Sequence, residues 1–364
     1  MKKKLKDICT QVRGVSYKPS DLRDENSGVP ILRANNIQDT GIVLDELVYV
    51  DSSKVHSEQY LLTDDIVICA SSGSKNLVGK AATFKSDLSA SFGAFCKVVR
   101  INNSDDLCKA YIQQYFQSKI YRNAISESSA GANINNIKTE DIEALEIPLP
   151  SKEEQIKIAA ELDTIQSAID NKKQQLALLD EAVKSEFVEM FGNPIYNSKN
   201  FPTKKVIDVV TMQRGYDLPV QDRDSKGKIP VFGSNGILGN HNLAKMDKGI
   251  ITGRSGTIGE VYMCETPFWP LNTTLFSNDT HGNNICYLKF LLEFFDLKRF
   301  KSGVGVPTLN RNEFHDEQII DVPLDLQNQF AAFVQQIDKS KFVVKQQIAD
   351  LQELLDSKMQ EYFS

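Results

Sequence analysis

Histidine and tryptophan are scarce in this sequence, with four and one among 364 residues. The histidines (His56, His241, His281, His315) stand far apart, and so do the six cysteines (Cys9, Cys69, Cys96, Cys108, Cys264, Cys286), with no C-x-x-C pair. A structural zinc site needs about four ligands, usually two of them a few residues apart. No metal site is expected, therefore, and the thiols are expected to be free. No apolar run approaches the ~20 residues of a membrane span. The basic start Met1-Lys2-Lys3-Lys4-Leu5 is not followed by an apolar stretch of signal-peptide length. A cytoplasmic protein with no membrane partner is expected.

Catalytic signatures are missing too. Gly73-Ser74-Lys75-Asn76-Leu77-Val78-Gly79-Lys80-Ala81 has five residues between its glycines, and Ala81 lacks the hydroxyl that a phosphate-binding loop places on magnesium. Asn193-Pro194-Ile195-Tyr196 lacks the second proline of the Asn-Pro-Pro-aromatic motif of amino-methyltransferases. No glycine-rich cofactor loop and no Gly-x-Ser-x-Gly elbow is present. A net positive charge is also lacking: the balance is −6. Its distribution matters more. The segments 151–192 and 321–364 together carry seven net negative charges, and the rest is close to neutral. A basic footprint over the whole surface is thereby excluded, while a local basic groove is not.

What the chain does have is a long internal repeat, the first thing to seek in any sequence. Lys4-Leu5-Lys6-Asp7-Ile8, Arg13-Gly14, Val29-Pro30-Ile31-Leu32 and Asn35-Asn36-Ile37 return as Lys205-Val206-Ile207-Asp208-Val209, Arg214-Gly215, Ile229-Pro230-Val231-Phe232 and Asn235-Gly236-Ile237. Asp65-Ile66-Val67-Ile68, then Ser72-Gly73 and Gly79, match Gly249-Ile250-Ile251-Thr252, then Ser255-Gly256 and Gly259. Each is a β-rich run entering a glycine-rich turn. The first of these turns is the longer one. An aromatic-rich helical stretch follows in each copy (Leu107 to Phe116; Tyr287 to Phe295), then a polar loop (131–135; 305–310), then Ile147-Pro148-Leu149-Pro150 or Val322-Pro323-Leu324.

A long helix is expected after each proline segment. Ser151 with Glu154 reads as a capping box. Apolar residues recur in steps of four and three at Ile158, Leu162, Ile165, Ile169, Leu176, Leu179, Val183 and Met190, interrupted by Lys172 and Glu186. The second series is Phe330, Val334, Ile337, Val344, Ile348, Leu351, Leu355 and Tyr362, interrupted by Lys341 and Lys358. This is the period of a coiled-coil seam, and Gly192-Asn193-Pro194 stops the first helix. Two helices with one seam each are expected to pair, antiparallel because the first carries the chain away and the second returns. About 38 residues at ~1.5 Å each make a spacer of roughly 57 Å. The expected architecture is α+β with a pseudo-two-fold: globular parts at 1–150 and 193–320, a central helix at 151–192, and a C-terminal helix at 321–364 pairing with it.

These features resemble the specificity subunit of type I restriction–modification systems. The residues that carry the resemblance are Ile147-Pro148-Leu149-Pro150 with Glu154-Gln155, and Val322-Pro323-Leu324 with Asn328-Gln329. To these are added Ile251-Thr252-Gly253-Arg254-Ser255-Gly256-Thr257-Ile258-Gly259, Pro307-Thr308-Leu309-Asn310 and Glu189-Met190-Phe191-Gly192-Asn193-Pro194. The resemblance implies two target recognition domains, each reading half of a bipartite, asymmetric site in double-stranded DNA. It implies that the helices are a spacer and the dock for two methyltransferase (M) subunits, with restriction/translocase (R) subunits completing the complex. S-adenosylmethionine, ATP and magnesium would then belong to those partners, with no cofactor, metal or catalytic residue in this chain. A protein-binding scaffold, or a nuclease whose site forms only on folding, are the alternative readings.

Arginine pairs with guanine and asparagine with adenine, while Lys, Ser, Thr and backbone N–H groups hold phosphates. On that chemistry the candidates in the first domain are Arg33, Asn35, Asn36, Ser72, Lys75, Asn76, Lys80, Asn133 and Asn135. In the second they are Ser234, Asn235, Arg254, Ser255, Thr257, Asn272, Thr273, Thr308, Asn310 and Arg311.

Overall fold

The structure is a computed structural model that describes residues 1–38, 41–74, 77–128, 136–303 and 305–364. The chain divides into two compact units, Met1–Lys173 with Gln347–Ser364, and Gln174–Gln346. Each unit thus takes in part of both long helices, where the sequence pattern suggests globular parts with the helices set apart from them.

In the first unit an antiparallel four-stranded sheet has the order Cys9–Arg13, Cys96–Ile101, Ile66–Cys69, Ala81–Thr83. The strand Ile66–Cys69 is buried along its whole length. Side chains alternate across a strand, so Ile66 and Ile68 enter the core shared with the helices, while Val67 and Cys69 enter a second core with Leu32, Phe84 and Phe92. Covering both faces explains a continuous apolar run. The second unit repeats the order as Thr211–Arg214, Thr274–Asp279, Gly249–Gly253, Val261–Cys264. There Ile250 and Leu275 face one core, and Ile251 and Phe276 the other.

A second sheet contains a parallel pair in each unit: Ser91–Phe92 beside Val29–Leu32, and Trp269–Pro270 beside Ile229–Gly233. The Arg-Gly repeat has its reason here. A Cβ on Gly14 would run into the Gly93 carbonyl, and one on Gly215 into the Leu271 carbonyl. Only glycine admits so close a backbone approach. The units differ at the edges of this sheet. The first adds Val48–Val50 and Leu22–Arg23, and the second folds Gly236–His241 back as a hairpin. The entering strand of each unit pairs with the strand leading to its long helix, Lys2–Lys4 with Glu146–Pro148 and Thr203–Lys205 with Gln318–Ile320.

The long helices are Lys152–Phe191 and Leu324–Phe363. Ser151 Oγ accepts the Glu154 N–H at 3.3 Å, the N-terminal half of the expected capping box. Four residues into the first helix, Gln155 is fully buried; its amide accepts the Cys108 N–H at 2.9 Å and donates to the Asp106 and Pro150 carbonyls. Gln327 does the same work in the second helix, accepting the Asn284 N–H and donating to Asn283 and the Val322 carbonyl. The counterpart of Gln155 is therefore Gln327, two residues earlier than the Gln329 that the motif alone suggests. Each glutamine ties a long-helix start to the helix Lys109–Gln117 or Ile285–Phe294 of its own unit.

Within the first unit, Glu161 meets Tyr362 at 2.8 Å and Lys358 at 3.5 Å. Within the second, Asp180 meets Lys341 at 2.5 Å, and Phe187 packs on Phe330 at 5.5 Å between ring centroids. Numbers rise along one helix as they fall along the other, so the segments run antiparallel. The seam is not the strict one expected. Glu186 does not interrupt it, because Phe187 and Phe191 take the buried positions after Val183, and Met190 is only half-buried. Likewise Met359 and Phe363 follow Leu355 in place of Lys358 and Tyr362. A straight helix drifts ~20° per heptad against a 3.5-residue repeat, so each seam changes to steps of four where its helix end reaches a globular core. There Phe191 packs on Tyr287 (5.1 Å) and Phe363 on Tyr111 (5.1 Å), the same arrangement in both units.

Candidate nucleic-acid interface

Where the central strand leaves the four-stranded sheet, both units build one turn frame. In the second unit the Arg254 and Ser255 N–H groups donate to the Thr273 carbonyl (2.8 and 3.1 Å), and Leu309 N–H donates to the Arg254 carbonyl (2.8 Å). In the first, Ala70 and Ser71 donate to the Phe95 carbonyl (2.9 and 3.0 Å), and Ile137 to the Ala70 carbonyl (2.8 Å). Ser71 bridges Asn136 as Ser255 bridges Thr308. The serine equivalent to Ser255 is therefore Ser71, one residue before the Ser72 that the sequence repeat suggests. From there the chain reaches Gly79 in one unit and Gly259 in the other, so the first turn is longer by four residues. Gly79, Gly256 and Gly259 have φ of +83°, +95° and +95°, backbone that favours glycine.

The second unit gathers most of its candidates at this frame. Arg254 is half-buried, and its Nε donates to the Asn272 carbonyl at 3.1 Å, which fixes the guanidinium. The Asn272 amide donates to Asp217, which lies 3.7 Å from Arg214. Ser234 lies beside Gly253 and Gly256, with Asn235 exposed next to it at the hairpin tip. Thr257 is exposed, and Thr308 lies 3.3 Å from Ser302 across a small hairpin. Ser234, Arg254, Ser255, Asn272, Thr273 and Thr308 are thus brought together. Asn310 serves its own backbone instead. Its side chain accepts the Asn312 N–H at 3.1 Å and caps the helix Arg311–His315, where Arg311 is half-exposed.

Sequence reasoning missed Asp217, Arg214 and Lys245. Lys245 Nζ lies 5.3 Å from the Tyr216 ring centre and 5.0 Å from that of Trp269, within cation–π range. The Arg-Gly repeat is a signal for Arg214. Asp217 has none, because an acidic residue is no candidate for meeting phosphates.

The first unit uses its candidates differently. Asn36 is 1% exposed, and its amide is fully engaged with the Arg33 N–H and the Val43 and Asp45 carbonyls. It braces a loop and cannot reach a base. Arg33 donates to the Glu46 carbonyl at 2.8 Å, and Asn35 is exposed. Ser72 Oγ accepts the Ser74 N–H at 3.2 Å, the ordinary local use of a turn serine. Lys80 is half-buried, with its backbone in the strand frame. Lys75, Asn76, Asn133 and Asn135 lie outside the described residues. Phe95, which sequence reasoning passed over, is 69% exposed at the frame itself.

No group of three or more His, Cys, Asp or Glu side chains among the described residues could hold a metal ion. The cysteines are free, and burial pushes the Cys9, Cys96 and Cys286 thiols up to about 12. No helix among the described residues is long and apolar enough to cross a membrane.

Residues 1–181 and 198–353 each match the type I restriction modification DNA specificity domain. The chain belongs to that family. Among relatives of this specificity-domain protein, the type I restriction enzyme StySPI specificity subunit of Salmonella potsdam is 40% identical over 179 residues. The EcoKI specificity subunit of Escherichia coli K12 is 39% identical over 181 residues. Each alignment covers 49% of this chain and only 38% of the relative. The MjaIX specificity subunit of Methanocaldococcus jannaschii is 24% identical over 294 residues, 70% of this chain and 68% of that one. Among solved structures, the S subunit of the M. genitalium type I restriction–modification system covers 100% of this chain and 96% of its own, with a TM-score of 0.56 and 15% identity. A chain from a type I system studied for its complex assembly and conformational transition gives a TM-score of 0.58 at 15% identity, over 100% and 97%. These two likenesses establish the shared fold.

Proposed function

We propose that this chain is the non-catalytic DNA-reading subunit of a type I restriction–modification complex, with one half of a bipartite, asymmetric site read by each unit. The observation that carries the reading is the turn frame built twice. In the second unit it holds a fixed guanidinium at a half-exposed position beside Asn272, Ser234 and Ser255. A fork of N–H donors held by its own backbone suits the O6/N7 edge of guanine. The neighbouring hydroxyls and turn N–H groups suit phosphates. The acidic long helices are the dock for two methyltransferase subunits, with restriction/translocase subunits joining them. S-adenosylmethionine, ATP and magnesium act in those partners.

The reading is tested with the purified chain, alone and co-expressed with a methyltransferase subunit. Sequence-selective duplex binding, and adenine methylation that appears only when the partner and S-adenosylmethionine are both present, are expected. Methyl transfer by the chain alone, or the absence of selective DNA binding in both preparations, overturns it.

A further inference from the structure

The two turn frames share these main-chain hydrogen bonds but differ in the side chains they display. The turn that supplies the accepting carbonyl closes with Cys96 N–H to the Gly93 carbonyl in one unit and Thr274 N–H to the Leu271 carbonyl in the other. By that register Ala70 stands where Arg254 does, Ala94 where Asn272 does, and Phe95 where Thr273 does. Ser16 likewise replaces Asp217. Arg254, Asn272, Thr273 and Asp217 thus give way in the first unit to two methyls, a ring and a neutral hydroxyl, while Ser255 keeps its counterpart in Ser71 and Arg214 in Arg13.

Phe95 is the outward group of this frame. Its ring is 69% exposed and belongs to none of the apolar cores. Two amides from Ala70 and Ser71 hold its backbone, so the ring is presented from a fixed point. A base edge that offers only donors and acceptors would lose hydrogen bonds to water against such a surface. Thymine is the base with an apolar group in the major groove, its C5 methyl, and Phe and Ala are side chains that meet it. Resting on the function proposed above, we infer that Phe95 is a specificity-determining residue that selects a thymine methyl in the half-site read by the first unit, at the place that Thr273 takes beside Arg254 in the second unit.

Uracil differs from thymine by that one methyl, which makes the test direct. The full chain is bound to its own duplex site, with thymines of each half-site replaced singly by uracil. Removing one contacted methyl removes burial of about one carbon group, so a loss of about three- to fivefold is expected at one thymine of the first half-site. Phe95→Ala should weaken binding to the thymine duplex by a similar factor and abolish the thymine–uracil difference, while Phe95→Ile should keep part of it. The second half-site should be indifferent to both variants. The ring is exposed, so Phe95→Ala folds as the parent does, which circular dichroism checks. A first half-site without thymine, or equal uracil effects in parent and Phe95→Ala, overturns the inference while sequence-selective binding, and with it the DNA-reading function, stands. Loss of all sequence selectivity in the parent chain overturns the DNA-reading function itself.

Discussion

Phe95 and Thr273 offer the same carbonyl to the same pair of turn amides. The two units agree in what the backbone needs and disagree in what it displays. Shared are the glycines at the close approach of two strands, the buried glutamines at the long-helix starts, and an aromatic pair where a helix end meets a core. Different are the residues on the turn frame and its surroundings: Arg254, Asn272 and Asp217 in one, Ala70, Ala94 and Phe95 in the other. A duplicated scaffold whose polar and apolar display diverges at one place is what reading two unlike half-sites requires. On the proposed function, specificity resides in side chains that the fold does not depend on.

The units also differ in how they stabilise the central sheet, and this gives the largest expected effect. In the first, Asp65 is 2% exposed and takes a two-pronged contact from Arg100, at 2.9 and 2.7 Å. The strand register puts Gly249 at that place in the second unit, with no carboxylate to neutralise. Arg100→Ala leaves a buried carboxylate unpaired and should destabilise the first unit by about 3 kcal/mol. Hydrogen exchange should show faster opening in strands Ile66–Cys69 and Cys96–Ile101, with the second unit unchanged. Equal loosening of both units would mean that they do not unfold separately.

Next in size is the effect on recognition. Arg254→Ala should weaken duplex binding by about 1–3 kcal/mol and relax preference at one position of one half-site. If the guanidinium touches only phosphate, all sequences weaken alike and the salt dependence becomes shallower. Competition binding at two salt concentrations separates these outcomes.

The smallest effect concerns acid. His315 Nε2 accepts the Met212 N–H at 3.0 Å in a buried position, and burial lowers its pKa below the ordinary 6.5. The neutral ring is the folded form, so its contribution is complete above pH 6.5 and is lost as pH falls below that value toward the folded-state pKa. The short helix at this place in the first unit, Thr139–Glu143, has no histidine. Between about pH 7 and 5 the second unit should lose stability by an increment that His315→Gln removes, an increment absent from the first unit. Thermal melts at the two pH values, followed by unit-specific hydrogen exchange, measure it.

Much of the scaffold is legible in the sequence, because the repeat and the long apolar series record backbone requirements that leave a periodic trace. Gly14 and Gly215 are visible as a repeated Arg-Gly, and the structure supplies the reason. Three details slip by one or two residues: Ser71 against Ser72, Gln327 against Gln329, and Phe187 against Glu186. A longer turn moves the first register and the drift of a straight helix the third, while for Gln327 the proline segments mislead, because the structure sets Val322 opposite Pro150. The display on the turns is less legible. Asn36 has the chemistry of a base reader but is folded inward as a brace. Phe95 is apolar, yet points outward. Asp217 has the wrong charge for DNA and takes its place through Asn272 and Arg214. Composition gives the chemistry of a side chain and not its direction, and direction decides these three.

On the proposed function, one frame displayed twice with different side chains reads two separate half-sites. Selection of bound duplexes from a random pool by the full chain, co-expressed with its methyltransferase subunit, tests it most directly. The expected result is two short, unlike conserved blocks separated by a fixed unread gap, with only one block degraded when the selection is repeated with Arg254→Ala. A single continuous block, two identical blocks, or degradation of both blocks by that one substitution would contradict it.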